Sequence, residues 1–189
     1  TDTELITALL GLQNDADPKV RFQLLLTLGY IHSSEADKVR QSLLFKDIND
    51  PWMQIAALSA SSSQAMALLD AVLAKFEPDS RAYASLVEHL GAIIGAGQQG
   101  NVIERFIQKA ITVSPQQDLW QAPLLEGLAK GLKSRKSLPG RIQENRGLLM
   151  QSCLENPSTP IRSASLQMLR VIGLPGDKQS LAAMQKAVR

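Results

Sequence analysis

Apolar residues along this chain recur at three- and four-residue spacing, and short polar turns interrupt them every 10–18 residues. The stretch from Asp15 to Ile31, DADPKVRFQLLLTLGYI, shows the pattern most clearly. Asp17 predicts a helix cap, and Pro18 suits the first helical position, where no N–H is wasted. Leu24 to Leu28 is almost solidly apolar, ending at Gly29 and the polar His32-Ser33-Ser34. A helix apolar around so much of its girth needs neighbours on more than one side. Related patterns return at Ile48–Ala60 and at Asn156–Gly173.

The same spacing predicts helices over Asp2–Gln13, Ser34–Lys46, Ala65–Phe76 and from Asp79 or Ser80 to Ile94. Further helices are expected over Val102–Val113, from Ser114-Pro115 to Leu132, over Ile142–Leu154 and over Lys178–Val188, about eleven in all. Lys133 to Arg141 reads as the longest joint. No segment alternates with period two for long enough to predict a strand. Proline-led starts fall at 18, 51, 78, 115 and 160, in steps of 33, 27, 37 and 45 residues. That mean is close to the period of a two-helix repeat, and one such pair cannot bury its own apolar faces. The expected fold is all-α: an α-α superhelix of about five helix pairs forming one domain over 1–189. Its inner helices should start near Pro18, Pro51, Pro78, Pro115 and Ser158, with Trp52, Ile55, Ala56 and Leu58 as the apolar side of the second. An irregular helical bundle is the rival.

Composition agrees. Aromatics make up 4% of the residues while Leu, Ala, Gln and Ser are plentiful, which argues against an all-β fold. No apolar run approaches the ~20 residues of a membrane span. The chain opens on Thr1, from which we expect a fragment of a longer protein.

The phrase DPKVRFQLLLTLG resembles the second helix of a HEAT repeat, with Asp17, Pro18, Val20 and Arg21 at its signature positions. Asp50, Pro51 and Met53 match in part, with Gln54 in the arginine place. Ile161 and Arg162 match the Val-Arg pair, with Ser158 and Thr159 replacing Asp-Pro. The order DPKVRFQLLLTLG then DPWMQIAALSA is also similar to the helical-repeat segment of large bacterial proteins that join a sugar-dehydrogenase-like propeller to a c-type cytochrome domain. That narrower resemblance covers about the first 75 residues. It implies partner domains on the same chain and a secreted or periplasmic setting; this chain carries neither the propeller nor a Cys-x-x-Cys-His haem site. The HEAT resemblance implies that Arg21 and Arg162 are ladder residues, with Arg21 paired to Asp17 or Asp50.

Candidate chemistry is sparse. Gly95, Gly97 and Gly100 fit G-x-G-x-x-G, but a helix rather than a strand is expected before them, so turn glycines are the preferred reading and no cofactor is expected. His32 and His89 lie 57 residues apart with no nucleophile or second ligand at useful spacing, which favours structural roles. Cys153 sits on an amphipathic stretch as a small hydrophobe. Trp52 and Trp120 are expected to pack between repeats.

Charge changes the picture most. The net charge is +2, yet Lys130, Lys133, Arg135, Lys136, Arg141 and Arg146 face only Glu144, a local excess of five; the remainder sums to −3. A solvated loop would account for this, as would an anionic partner. Nucleic acid is the weaker partner, since no aromatic is interleaved for base stacking. The leading expectation is a non-catalytic scaffold that docks neighbouring domains or an extended protein partner. The alternatives are a nucleic-acid-binding helical repeat using 130–146 and an unrecognised hydrolase or lyase.

Overall fold

The computed structural model describes residues 2–59, 62–112, 119–140, 142 and 144–175, and among them the fold is all-α. Ten α-helices follow in order: α1 Asp2–Gly11, α2 Pro18–Leu28, α3 Ser34–Lys46, α4 Pro51–Leu58, α5 Ser62–Ala74, α6 Arg81–Gly97, α7 Gly100–Thr112, α8 Gln121–Lys133, α9 Arg146–Glu155 and α10 Thr159–Ile172. One 3-10 turn covers Leu12–Asn14. The helix expected over Lys178–Val188 and the Ser114-Pro115 start lie outside the described residues. None of the described helices is long and apolar enough to cross a membrane.

The chain divides into two units, Thr1–Ala71 and Val72–Arg189. In the first, α2 packs on α3 and α4, and α3 on α4. Leu24, Leu25 and Leu28 of α2 meet a core that includes Leu43, Leu44, Met53, Ala56 and Ala57. In the second, α8 lies between α6 and α10, while α7 touches α8 and α9, and α9 packs on α10.

Helix starts explain much of this order. The Asp17 carboxylate accepts the Lys19 N–H at 2.8 Å, and Asp50 accepts the Trp52 N–H at 2.9 Å, each ahead of a first-turn proline. Both aspartates are thereby committed as caps. Arg21 accordingly pairs elsewhere than expected: its Nη2 and Nε each lie 3.0 Å from Asp47 Oδ2, tying the start of α2 to the end of α3.

A second regularity links the three matched starts. Arg21 Nη1 donates to the carbonyl of Asp15 at 2.8 Å, six residues back. Gln54 Nε2 donates to Ile48 at 2.8 Å, and Arg162 Nη1 to Asn156 at 2.7 Å, again six back. Among the described residues no aspartate pairs with Arg162; its Nη2 donates to Thr159 Oγ1 at 2.8 Å. In each case a long polar side chain on the first turn folds over the incoming loop and satisfies a carbonyl that the helix ladder cannot reach. Gln54 thus does the arginine's local work without its charge. Gln54→Leu is expected to lower stability by about 1–2 kcal/mol in urea denaturation, because the Ile48 carbonyl loses a buried donor.

The apolar face of α4 is turned from the expected one. Met53, Ala56 and Ala57 are buried, whereas Trp52 is 67% and Ile55 53% exposed. Trp120, by contrast, is buried at 3% exposed. Proline at the first position puts Trp52 one residue further on, facing away from the side that Gln54 pulls inward.

The tightest packing is between α6 and α8. Gly91 faces Leu124, Gly127 and Leu128, and Gly95 faces Leu128 and Gly131, so the two helices run parallel with their backbones in contact. A Cβ added at Gly127 would fall well under 3.0 Å from the Glu88 carbonyl oxygen, and one at Gly131 would meet that of Ala92. Gly95 is therefore a helix-packing glycine. Of the three glycines expected in a turn, it and Gly97 belong to α6, and Gly100 opens α7.

Candidate functional site

The close crossing of α6 and α8 sets where the basic stretch can go. At the end of α8 the chain leaves the helix at Ser134 and turns through 134–140. Beside it lies the last turn of α10. Together these segments enclose an open groove of about 690 Å³. Its charged lining is Lys130, Lys133, Arg135, Lys136 and Arg170, with no carboxylate among the described lining residues. Leu138, 39% exposed, and half-buried Val171 supply aliphatic surface over the buried Ala129 and Leu132.

These cations are not equivalent. Lys130 is hydrogen-bonded to Glu88 of α6, and that bond, together with the Glu88 charge, holds its ammonium above the usual lysine range. Arg135 Nη1 donates to the carbonyls of Gly95 at 3.0 Å and Gln98 at 2.8 Å, closing the C-terminal end of α6. Its charge sits where the helix dipole is negative. Lys133, Lys136 and Arg170 are exposed, and no carboxylate among the described residues pairs with them. They form the available rim.

Two members of the expected patch lie apart from it. Arg146 opens α9, and its Nη2 donates to the Ile172 carbonyl, closing the end of α10 as Arg135 closes α6. Arg141 lies outside the described residues. Arg170, which the sequence reading passed over, joins the patch because α10 packs against α8. Nothing in the 130–146 window points to it; the signal available was its last-turn position on the helix pairing with α8.

Glu104 was also not singled out, although it is 6% exposed. Its Oε1 accepts the Glu144 N–H at 3.2 Å, and Asn145 Nδ2 donates both to Oε2 and, at 3.1 Å, to the Glu104 carbonyl. This carboxylate on α7 fastens the start of α9. Burial pushes its pKa above the ordinary glutamate value against the opposing pull of those hydrogen bonds. Glu126, near Glu88 and Lys130, is raised as well, chiefly by burial and then by the Glu88 charge.

The two histidines belong to different units and have different partners. His32 Nδ1 lies 3.4 Å from Gln64 Nε2, and His89 Nδ1 lies 3.3 Å from Ser85 Oγ one turn earlier on α6. Cys153 is half-buried on α9. Comparison with protein-family models, with curated proteins and with solved structures gives no match for this chain.

Cations around an aliphatic floor attract an anionic partner by charge and hold it by burial.

Proposed function

We propose that this chain is a HEAT-like helical-repeat module whose task is to dock protein partners, as a non-catalytic scaffold within a longer bacterial protein. The observation that carries this reading is the loop brace at Arg21, Gln54 and Arg162. Three helix starts spread over 141 residues each reach back to the carbonyl six positions earlier. One local solution used at each start is what a chain of stacked repeats requires. Alternate helices in contact, α2 with α4 and α6 with α8 and then α10, support the same reading. Repeats of this kind bind by the surface their helix ends and loops present, and the groove at α8 and α10 is that surface here.

Chemical cross-linking in the source cells tests the proposal. A protein cross-linked to the wild-type chain at defined stoichiometry, and identified as a neighbouring domain or a separate partner, is the expected result. Recovery of nucleic acid alone overturns it in favour of a second reading, a nucleic-acid-binding helical repeat. The exposed rim of Lys133, Lys136 and Arg170 gives that reading its physical basis, and its mark would be duplex binding that falls steeply with added salt.

A further inference from the structure

Resting on that reading, we infer that the groove between the last turn of α8, the 134–138 segment and the last turn of α10 binds a segment of partner protein in which acidic and aliphatic residues are interspersed. The argument starts from the two kinds of lining. Lys133, Lys136 and Arg170 present positive charge that nothing among the described residues neutralises, and Arg135 adds its guanidinium charge while its Nη1 stays on the end of α6. Between them lie exposed Leu138 and half-buried Val171, aliphatic side chains that gain only from covering by other apolar groups.

A phosphate chain would satisfy the rim but leave the floor wet. It would also find no aromatic face among the described lining residues on which to stack a base. An apolar helix would cover the floor yet strand the cations in a desolvated setting. A peptide that sets carboxylates beside leucine-like side chains meets both demands at once. The volume of about 690 Å³ is in the range of clefts that take a small ligand or a few residues of peptide. Lys130 is pre-set by Glu88, so a carboxylate arriving there would have to compete with one already in place. The partner's acidic residues are therefore expected over Lys133, Lys136 and Arg170.

Fluorescence anisotropy with a labelled peptide of repeated Glu-Leu-Glu units tests this on the full chain. The expected result is micromolar binding that weakens about tenfold in the double variant Lys133→Glu/Lys136→Glu, both exposed positions where folding is checked by circular dichroism. Leu138→Ser is expected to weaken it about threefold, as the loss of one partly buried aliphatic contact. An oligoglutamate of equal length should bind more weakly than the Glu-Leu-Glu peptide, and single-stranded oligothymidylate more weakly still. No binding, equal binding by the double variant, equal binding of oligoglutamate, or tighter binding of oligothymidylate would each overturn the inference. A cross-linked protein partner that the double variant still captures would also overturn it, while leaving the docking-module reading intact.

Discussion

Gly127→Ala is expected to destabilise the second unit by at least about 2 kcal/mol, and Gly127→Ala/Gly131→Ala together to remove most of its stability. The sign is the informative part. Helix propensity alone favours alanine over an interior helical glycine by about 1 kcal/mol, so a helix packed through side chains would become more stable. Here the new methyl would run into the Glu88 carbonyl, and at 131 into the Ala92 carbonyl and the Ala96 amide. Those neighbours are backbone. No rotamer change relieves the clash, and α6 and α8 must move apart along their whole crossing. That movement would also draw Arg135 away from Gly95 and Gln98. Gly147→Ala is the matched control: it lies in α9 with nothing within 4 Å of the added methyl, and should gain a few tenths to about 1 kcal/mol. Denaturation followed by the fluorescence of buried Trp120, in a Trp52→Phe background, reads both. Equal and stabilising effects at 127 and 147 would remove the close crossing from the account.

That crossing shows what kind of information the sequence carries openly. Helix identity was legible because the signal is local: apolar residues at helical spacing, led at α2 and α4 by an aspartate and a proline. The matched starts at Pro18, Pro51 and Ser158 all appear in the structure. Pairing is less local. Gly91 and Gly95 share a four-residue spacing with Gly127 and Gly131, but single glycines near Gly97 and Gly100 read more readily as a turn. Only the partner helix, 36 residues on, makes them a packing surface.

The basic stretch divides for the same reason. Its charges are contiguous in sequence, but Arg135 and Arg146 point to the ends of two different helices, while Lys133 and Lys136 stay exposed. Arginine's several donors in a flat fork suit it to bare helix-end carbonyls, and a lysine on a helix end has no such geometry. Arg40 repeats the use in the first unit, donating to the Ala57 carbonyl at the end of α4 at 3.1 Å. The face of α4 was misjudged because Trp52 counts as apolar wherever it points. A buried Gln54, polar by composition, marked the inward side instead.

The second large effect is expected at Glu104. Glu104→Ala should cost about 2–3 kcal/mol, since the Glu144 N–H and one Asn145 donor lose their acceptor where water is scarce. Its titration carries a separate signature. Burial raises the folded pKa above the ordinary glutamate value near 4.3, so the folded state holds the proton more tightly than the unfolded chain does. The stability this provides is complete below the unfolded pKa and is lost as pH rises through the folded one. Glu126 acts in the same direction, because burial and the Glu88 charge outweigh the help of Lys130. Stability of the second unit should therefore gain from these two groups as pH falls through their raised folded pKa values toward the ordinary glutamate value. Glu104→Gln removes one titration while keeping the side-chain shape, so the difference between wild type and variant should itself depend on pH, the variant losing ground as acid is added. Urea denaturation at several pH values from about 4 to 8, a range that includes the ordinary glutamate value, measures this. Parallel profiles for the two proteins would mean that the carboxylate reaches water and that its hold on the start of α9 is weaker than its burial indicates.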